Sequence, residues 1–370
     1  MPGAQHLYVH LPFCSSRCGY CDFVTVVGHG AEHGRYVEAV LTELALEQTL
    51  LAPRLESIYL GGGTPTLTEA AALEHLLRSL PDARTVTVEA NPETVDVPLA
   101  ALLRRSGVDR VSLGAQTFDA RLLRMLDRAA QPADVRRAFQ VLRDAGFDNL
   151  SLDLIYGIPG QTSSDLERDL VEALALQPEH VSAYELEAKP GTRFTHAHGE
   201  ELARQADAME SYFELVVERL TGAGYRWYET ANFCRVAERA GGRDLRAAHN
   251  LGIWRGQDYL GLGIGAVSTV DGTRWRNAPS LPRYLAALER GERPLREVEE
   301  LPPTVRDTER LMLGLRLDEP LPLAGLDRAV DAVELARLVA QGLVRAELGT
   351  LSLTPRGRAL GGGVTARLLA

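Results

Sequence analysis

Three cysteines fall within eight residues, in Cys14-Ser15-Ser16-Arg17-Cys18-Gly19-Tyr20-Cys21, and the fourth, Cys234, lies far away. A Cys-x-x-x-Cys-x-x-Cys array directly after a predicted strand reads as a ligand set. A cubane iron–sulfur cluster asks for four thiolates. Three on one loop leave one iron coordinatively open, and an open position separates a reactive metal site from a closed structural one. Zinc and buried free thiols are the alternatives, although zinc on three close thiolates with no neighbouring His is an unusual set. A second run, Gly61-Gly62-Gly63-Thr64-Pro65-Thr66, stands between a predicted strand and a predicted helix. Without a Cβ a ligand can approach the backbone there, and the same composition also suits a tight turn.

The elements that must hold these residues alternate regularly. Short apolar runs at Leu7–Leu11, Ser57–Leu60, Thr85–Glu89, Arg110–Leu113, Leu150–Ile155 and Val181–Leu186 are predicted strands. Between them, apolar residues recur at three- and four-residue spacing over Tyr36–Leu51, Glu69–Leu80, Pro98–Arg105, Ala120–Leu126, Ala133–Ala145 and Ser164–Leu176, which predicts helices. Six strands each followed by a helix imply a parallel sheet with right-handed crossovers. Fewer than eight such units predict an incomplete α/β barrel, a partial (βα)6. Glu89, Gln116, Arg128 and Asp153 then fall at the C-terminal rim, where barrels place function.

At this point the residues resemble a family. Tyr8-Val9-His10-Leu11-Pro12-Phe13-Cys14 through Cys21-Asp22-Phe23 resembles the radical S-adenosylmethionine superfamily. More narrowly it is similar to the oxygen-independent coproporphyrinogen oxidase group and its close relatives, the HemW-like heme chaperones. The resemblance implies that Cys14, Cys18 and Cys21 hold a 4Fe-4S cluster and that S-adenosylmethionine binds its open iron. It gives Gly62, Gly63 and Thr64 to the methionyl amino group, and Glu89, Gln116, Arg128 and Asp153 to the rest of that molecule. An Arg suits bidentate carboxylate recognition, and carboxylates suit ribose hydroxyls. Tyr8 matches a tyrosine packed beside the cluster, or is simply a half-buried strand tyrosine. True coproporphyrinogen oxidases carry a further cysteine two residues after the third; Phe23 stands there instead, which favours the HemW-like branch.

His249-Asn250-Leu251-Gly252-Ile253-Trp254 resembles the His-Asn-x-x-Tyr-Trp motif of that branch, associated with heme. Imidazole is a natural axial ligand of heme iron, and Trp254 would cover a porphyrin face. His10, on the strand beside Tyr8, points toward the cluster region if that strand alternates, and is a further candidate to contact substrate or heme. Ile253 replaces a Tyr, and Val267, in Gly263–Ser268, replaces a His. His249 also suits a satisfied structural role. Cys234 reads as a small buried hydrophobe.

The 370 residues carry Lys+Arg 40 against Asp+Glu 50, a formal charge of −10, with 45% hydrophobic and 24% charged residues. An acidic chain without a basic block is a poor nucleic-acid binder. No apolar stretch approaches the roughly 18–20 residues of a membrane span, and the N-terminus shows no signal-peptide pattern, so a cytoplasmic protein is expected. The rhythm changes after about residue 200: a long helical pattern, Glu200–Ala223, leads into Tyr225–Phe233. The expected division is 1–235 for the barrel and its extension, 236–303 for a connecting segment bearing the heme motif, and 304–370 for a smaller C-terminal α+β domain. That domain closes with a winged-helix-like hairpin at Gly342–Leu353 and is expected to cover the barrel mouth. The resemblance implies a heme chaperone without coproporphyrinogen dehydrogenase activity, passing heme to acceptor hemoproteins such as respiratory enzymes. Radical chemistry would need an electron donor such as a flavodoxin or ferredoxin. The alternatives are oxygen-independent coproporphyrinogen III dehydrogenase, in which a radical from S-adenosylmethionine starts propionate decarboxylation, and another radical enzyme, such as a methyltransferase, acting on a porphyrin-sized substrate.

Overall fold

Leucine- and valine-rich runs become strands buried on both faces, and the amphipathic stretches between them become the covering helices. The structure, a computed structural model, describes residues 3–187, 193–236 and 241–370. Strand β1 (His6–Leu11) is followed by a small parallel pair, β2 (Phe13–Cys14) and β3 (Val26–Val27), then by α1 (His33–Glu47). The βα alternation continues through β4 (Leu55–Gly62), α2 (Ala70–Ser79), β5 (Ala83–Ala90), α3 (Val97–Arg105) and β6 (Arg110–Gln116). Two helices, α4 (Ala120–Met125) and α5 (Pro132–Asp144), precede β7 (Leu150–Tyr156), and α6 (Ser163–Ala175) precedes β8 (His180–Glu185). Local chemistry sets these boundaries. Thr162 and Asp165 form a reciprocal capping box at the start of α6, and Asp96 caps α3 ahead of Pro98.

All six expected strands lie side by side and parallel, in the order β1-β4-β5-β6-β7-β8. The sheet then grows at both ends. The long helical pattern after residue 200 is two helices, α7 (Arg193–Gln205) and α8 (Met209–Gly222), joined by a 3-10 turn at Ala206–Ala208. The hairpin β9 (Tyr225–Glu229) and β10 (Asn232–Arg235) adds antiparallel to β8. The interval read as a connecting segment contributes four strands to the sheet. After α9 (Ala248–Trp254), β11 (Tyr259–Leu262) pairs parallel with β1. Then β12 (Val267–Val270), β13 (Thr273–Asn277) and β14 (Arg296–Glu300) extend that edge antiparallel, with α10 (Leu281–Glu289) between the last two. The result, among the described residues, is one twelve-stranded sheet.

The C-terminal unit has its own apolar core, including Leu311, Leu326, Leu338 and Leu351. It contains α11 (Pro303–Gly314), β15 (Leu321–Pro322), α12 (Ala332–Ala340), β16 (Val344–Glu347), β17 (Thr350–Leu353), α13 (Pro355–Ala359) and α14 (Gly361–Leu368). The expected hairpin is β16–β17, turning on Leu348 and Gly349 with φ of 49° and 76°, the two-residue turn that matches strand twist. This unit packs on the far end of the sheet. Arg226 pairs with Asp318, Arg316 with Glu229, and Arg358 donates to Trp227 O at 2.7 Å. No helix is long and apolar enough to cross a membrane among the described residues.

Candidate functional site

The reactive loop begins where β1 ends. Val26 N–H donates to Pro12 O at 2.8 Å, and the β2–β3 pair ties both ends of the loop. The glycine turn after β4 is stitched to the same backbone: Gly63 N–H donates to Leu11 O and Thr64 N–H to Phe13 O, both at 2.8 Å. Cys14, Cys18 and Cys21 are half-buried and line one cleft of about 390 Å³ at the C-terminal mouth of the parallel strands. Cys14 Sγ lies 3.6 Å from Thr64 Oγ1, and Arg128 Nη1 lies 3.9 Å from Cys18 Sγ. Arg128 Nη2 donates to Asn91 Oδ1 at 2.7 Å and to Gly114 O at 3.2 Å, while its buried Nε has no partner. Burial pushes the Cys14 and Cys21 thiols up; the Thr64 hydrogen bond opposes this at Cys14 and the Phe23 backbone at Cys21. Among the described residues, no three His, Cys, Asp or Glu side chains gather tightly enough for a single metal ion. The donor set, three soft thiols spread along one wall beside a guanidinium, fits a cluster that takes one thiolate on each of three irons.

Gly62, Gly63, Thr64, Glu89, Gln116, Arg128 and Asp153 all line this cleft. Glu89 accepts from Tyr59 Oη at 2.6 Å and from Gly62 N–H at 3.2 Å. Burial raises its carboxyl to about 7, with the Asp153 charge adding to the rise. Asp153 accepts from Ser112 Oγ at 3.0 Å and Ser151 Oγ at 3.4 Å, and burial raises it as well. Gln116 sits at φ 63° on a break in the β6–β7 register, which turns the strand end into the cleft. The glycines have a second reason to be glycines. A Cβ on Gly62 would stand 2.6 Å from the His10 ring, and one on Gly63 would stand 2.6 Å from the Pro12 carbonyl. The turn packs on the loop that launches Cys14, so ligand approach alone does not account for it.

Tyr8 does not line the cleft. It stacks beneath Tyr59 at 6.2 Å, and its hydroxyl lies 3.1 Å from His10 Nδ1. None of the three heme candidates, His10, His249 and Trp254, lines the cleft. His10 is buried and spends both ring nitrogens, Nε2 donating to Val24 O at 2.8 Å and Nδ1 meeting Tyr8. His249 is buried in a stack with Tyr59 at 5.2 Å, its Nδ1 3.2 Å from Ser57 Oγ, and burial lowers it to about 3. Trp254 has Arg316 over its ring at 4.4 Å. Their neighbour Asn250 does reach the cleft. Cys234 is buried, and burial pushes its thiol up to about 12. No residue after 300 lines the cleft, so the C-terminal unit does not cover the mouth as expected.

Sequence reasoning missed Asn91, which donates to Thr64 Oγ1 at 2.9 Å and links the glycine turn to Arg128. It also missed Arg110, Ser112 and Ser182, which line the interior of the barrel. Polar residues at every second position of predicted inner strands were the available signal.

A thiol-bearing loop after the first strand of an incomplete parallel barrel marks the radical S-adenosylmethionine class. The model of the radical SAM superfamily matches residues 8–173, and that of the HemN C-terminal domain matches 301–360. The heme chaperone HemW of Mycobacterium tuberculosis (strain CDC 1551 / Oshkosh) is 38% identical, with 100% of this chain and 96% of the relative aligned. The HemW proteins of Bacillus subtilis (strain 168) and Escherichia coli (strain K12) are 31% and 33% identical, covering 96% and 91% of this chain and 97% and 90% of their own lengths. The chain belongs to the HemW family. A solved structure of Escherichia coli coproporphyrinogen III oxidase (HemN), a radical SAM enzyme, shares the fold, with a TM-score of 0.80 at 24% identity over 99% of this chain and 90% of that one. Superfamily membership implies a 4Fe-4S cluster and S-adenosylmethionine.

Proposed function

We propose that this protein is a cytoplasmic heme chaperone that binds heme and passes it to acceptor hemoproteins such as respiratory enzymes. The observation that carries the reading is the end-to-end similarity to heme chaperones of three bacteria. Phe23, 61% exposed beside the cleft where the oxidases carry a further cysteine, supports it.

In this reading Cys14, Cys18 and Cys21 hold the cluster, which with S-adenosylmethionine supplies one-electron chemistry when both are bound. Arg128 offsets negative charge beside Cys18 and keeps its unpartnered Nε near the cofactor. Gly62–Thr64 hold the methionyl end, while Glu89, Gln116 and Asp153 take the remaining polar groups. Tyr8, Tyr59 and His10 support that floor from below. An electron donor such as a flavodoxin or ferredoxin is needed only if the cofactor is cleaved.

The test is an anaerobic heme titration of the reconstituted protein, followed by transfer to an apo-hemoprotein, with a parallel incubation with coproporphyrinogen III. A stable Soret band, heme transfer and no decarboxylated product are expected. Robust turnover of coproporphyrinogen overturns the chaperone reading. Because His249 is buried behind Tyr59 rather than on the cleft wall, His249→Ala in the same titration decides whether the Soret ligand lies there or elsewhere.

A further inference from the structure

Inside the barrel, β6 opens on an arginine. The register sets Glu89 opposite Ser112 and Thr87 opposite Arg110, so Arg110 lies two residues deeper than the level of Glu89. It is only 5% exposed, yet it lines the cleft. Its Nε is buried with no hydrogen-bond partner, and among the described residues its guanidinium forms no ion pair. A buried guanidinium is costly unless an anion meets it.

The protein's own carboxylates Asp153 and Glu89 feel the Arg110 charge, which opposes the upward push of burial on both, but among the described residues neither forms an ion pair with it. Asp153 is held by the Ser112 and Ser151 hydroxyls, and Glu89 by Tyr59 and the Gly62 N–H. The register puts Ser151 and His180 level with Ser112, two residues nearer the mouth than Arg110, and His180 is itself held by Ser151 at 2.8 Å and Tyr228 at 2.7 Å. Of the other two arginines that line the cleft, Arg128 is already spent on Asn91, Gly114 and the Cys18 thiol, and Arg17 is exposed on the cysteine loop. Arg110 is therefore a buried cation beneath a ring of serines, on the wall of the cleft it lines.

We propose that Arg110 is the carboxylate-recognition residue of the cleft, taking one acid group of the bound ligand in a bidentate grip. The assignment rests on the heme reading, in which that group is a propionate. It separates two jobs: Arg128 serves the cluster end, and Arg110 anchors the acid end of the cargo.

The experiment compares heme with heme dimethyl ester, in which both propionates are blocked, by Soret titration of the reconstituted full chain. Wild type is expected to prefer free heme by about 10- to 100-fold, the range of a lost charge-assisted hydrogen-bond pair. Arg110→Gln should abolish that preference by weakening heme alone, and Arg110→Lys should restore part of it. Iron content and far-ultraviolet circular dichroism check that both variants fold. Wild type that binds neither porphyrin defeats the heme reading itself. Wild type that binds both equally, or Arg110→Gln that keeps the preference, overturns the Arg110 assignment and leaves the heme reading standing. Loss of S-adenosylmethionine binding in Arg110→Gln with the porphyrin preference intact likewise overturns it and gives the residue to the cofactor.

Discussion

Gly63→Ala separates two reasons for the glycine turn. If the glycine exists for ligand approach, a methyl group there blocks S-adenosylmethionine and leaves the cluster alone. The packing argues otherwise. An added Cβ would lie 2.6 Å from both C and O of Pro12 and 2.8 Å from Phe13 O, against about 3.4 Å for an ordinary contact. Something must move by roughly 0.8 Å, and the atoms in the way are backbone, which cannot rotate aside as a side chain would. Those atoms belong to the two residues before Cys14. The shift also stretches the 2.8 Å bonds from Gly63 N–H to Leu11 O and from Thr64 N–H to Phe13 O. Overpacking of this kind costs about 1–3 kcal/mol. The expected result is impaired iron loading after anaerobic reconstitution, together with a lower unfolding midpoint. Gly30→Ala, where nothing stands within 4 Å and φ is not positive, is the control and should match wild type. A Gly63→Ala protein with full iron, unchanged stability and no S-adenosylmethionine binding would refute the packing account.

Two further outcomes follow from buried charge. Burial raises the Glu89 carboxyl from 4.5 to about 7, so its contribution to stability is complete below about 4.5 and is lost as pH rises through about 7. Glu89→Gln cannot ionise, and should gain on wild type by on the order of 3 kcal/mol between pH 4.5 and 8 in denaturant titrations; parallel curves would count against it. Glu43, fully buried, accepts from Gly263 N–H, Asn277 Nδ2 and Tyr284 Oη and faces Arg296. Glu43→Ala leaves those three donors unsatisfied, while Arg296 keeps its 2.8 Å pair with Glu47, and should cost about 3–5 kcal/mol in urea unfolding. A loss under about 1 kcal/mol would mean that water replaces the carboxylate.

The parallel half of the sheet was legible because each strand is an apolar run long enough to be buried on both faces. The four strands on the β1 edge were not. Tyr-Leu-Gly-Leu at Tyr259–Leu262 and Val-Ser-Thr-Val at Val267–Val270 are four residues each, separated by a turn with positive φ at Gly263 and Gly265. That stretch reads as a loop. Arg296–Glu300 is charged at four of five positions, which suits a solvated edge strand and erases the apolar signal. What makes these segments strands is the long-range pairing of β11 with β1, more than 250 residues away in sequence, and no local pattern carries that.

The site divides along the same line. The cysteine loop and glycine turn are local in sequence, and the structure brings them together in one cleft with Glu89, Gln116, Arg128 and Asp153. The His-Asn-x-x-x-Trp run is local too, but its use depends on which way α9 faces. The helix turns His249 onto Ser57 and Tyr59, sets Trp254 against Arg316, and leaves Asn250 toward the cleft. Residue types in a motif name the chemistry available; helix orientation decides which of it a ligand meets. Arg110 is the converse case. In sequence it is an ordinary arginine opening an apolar strand, and only the inward face of β6 turns it into an unpaired cation at the bottom of the cleft.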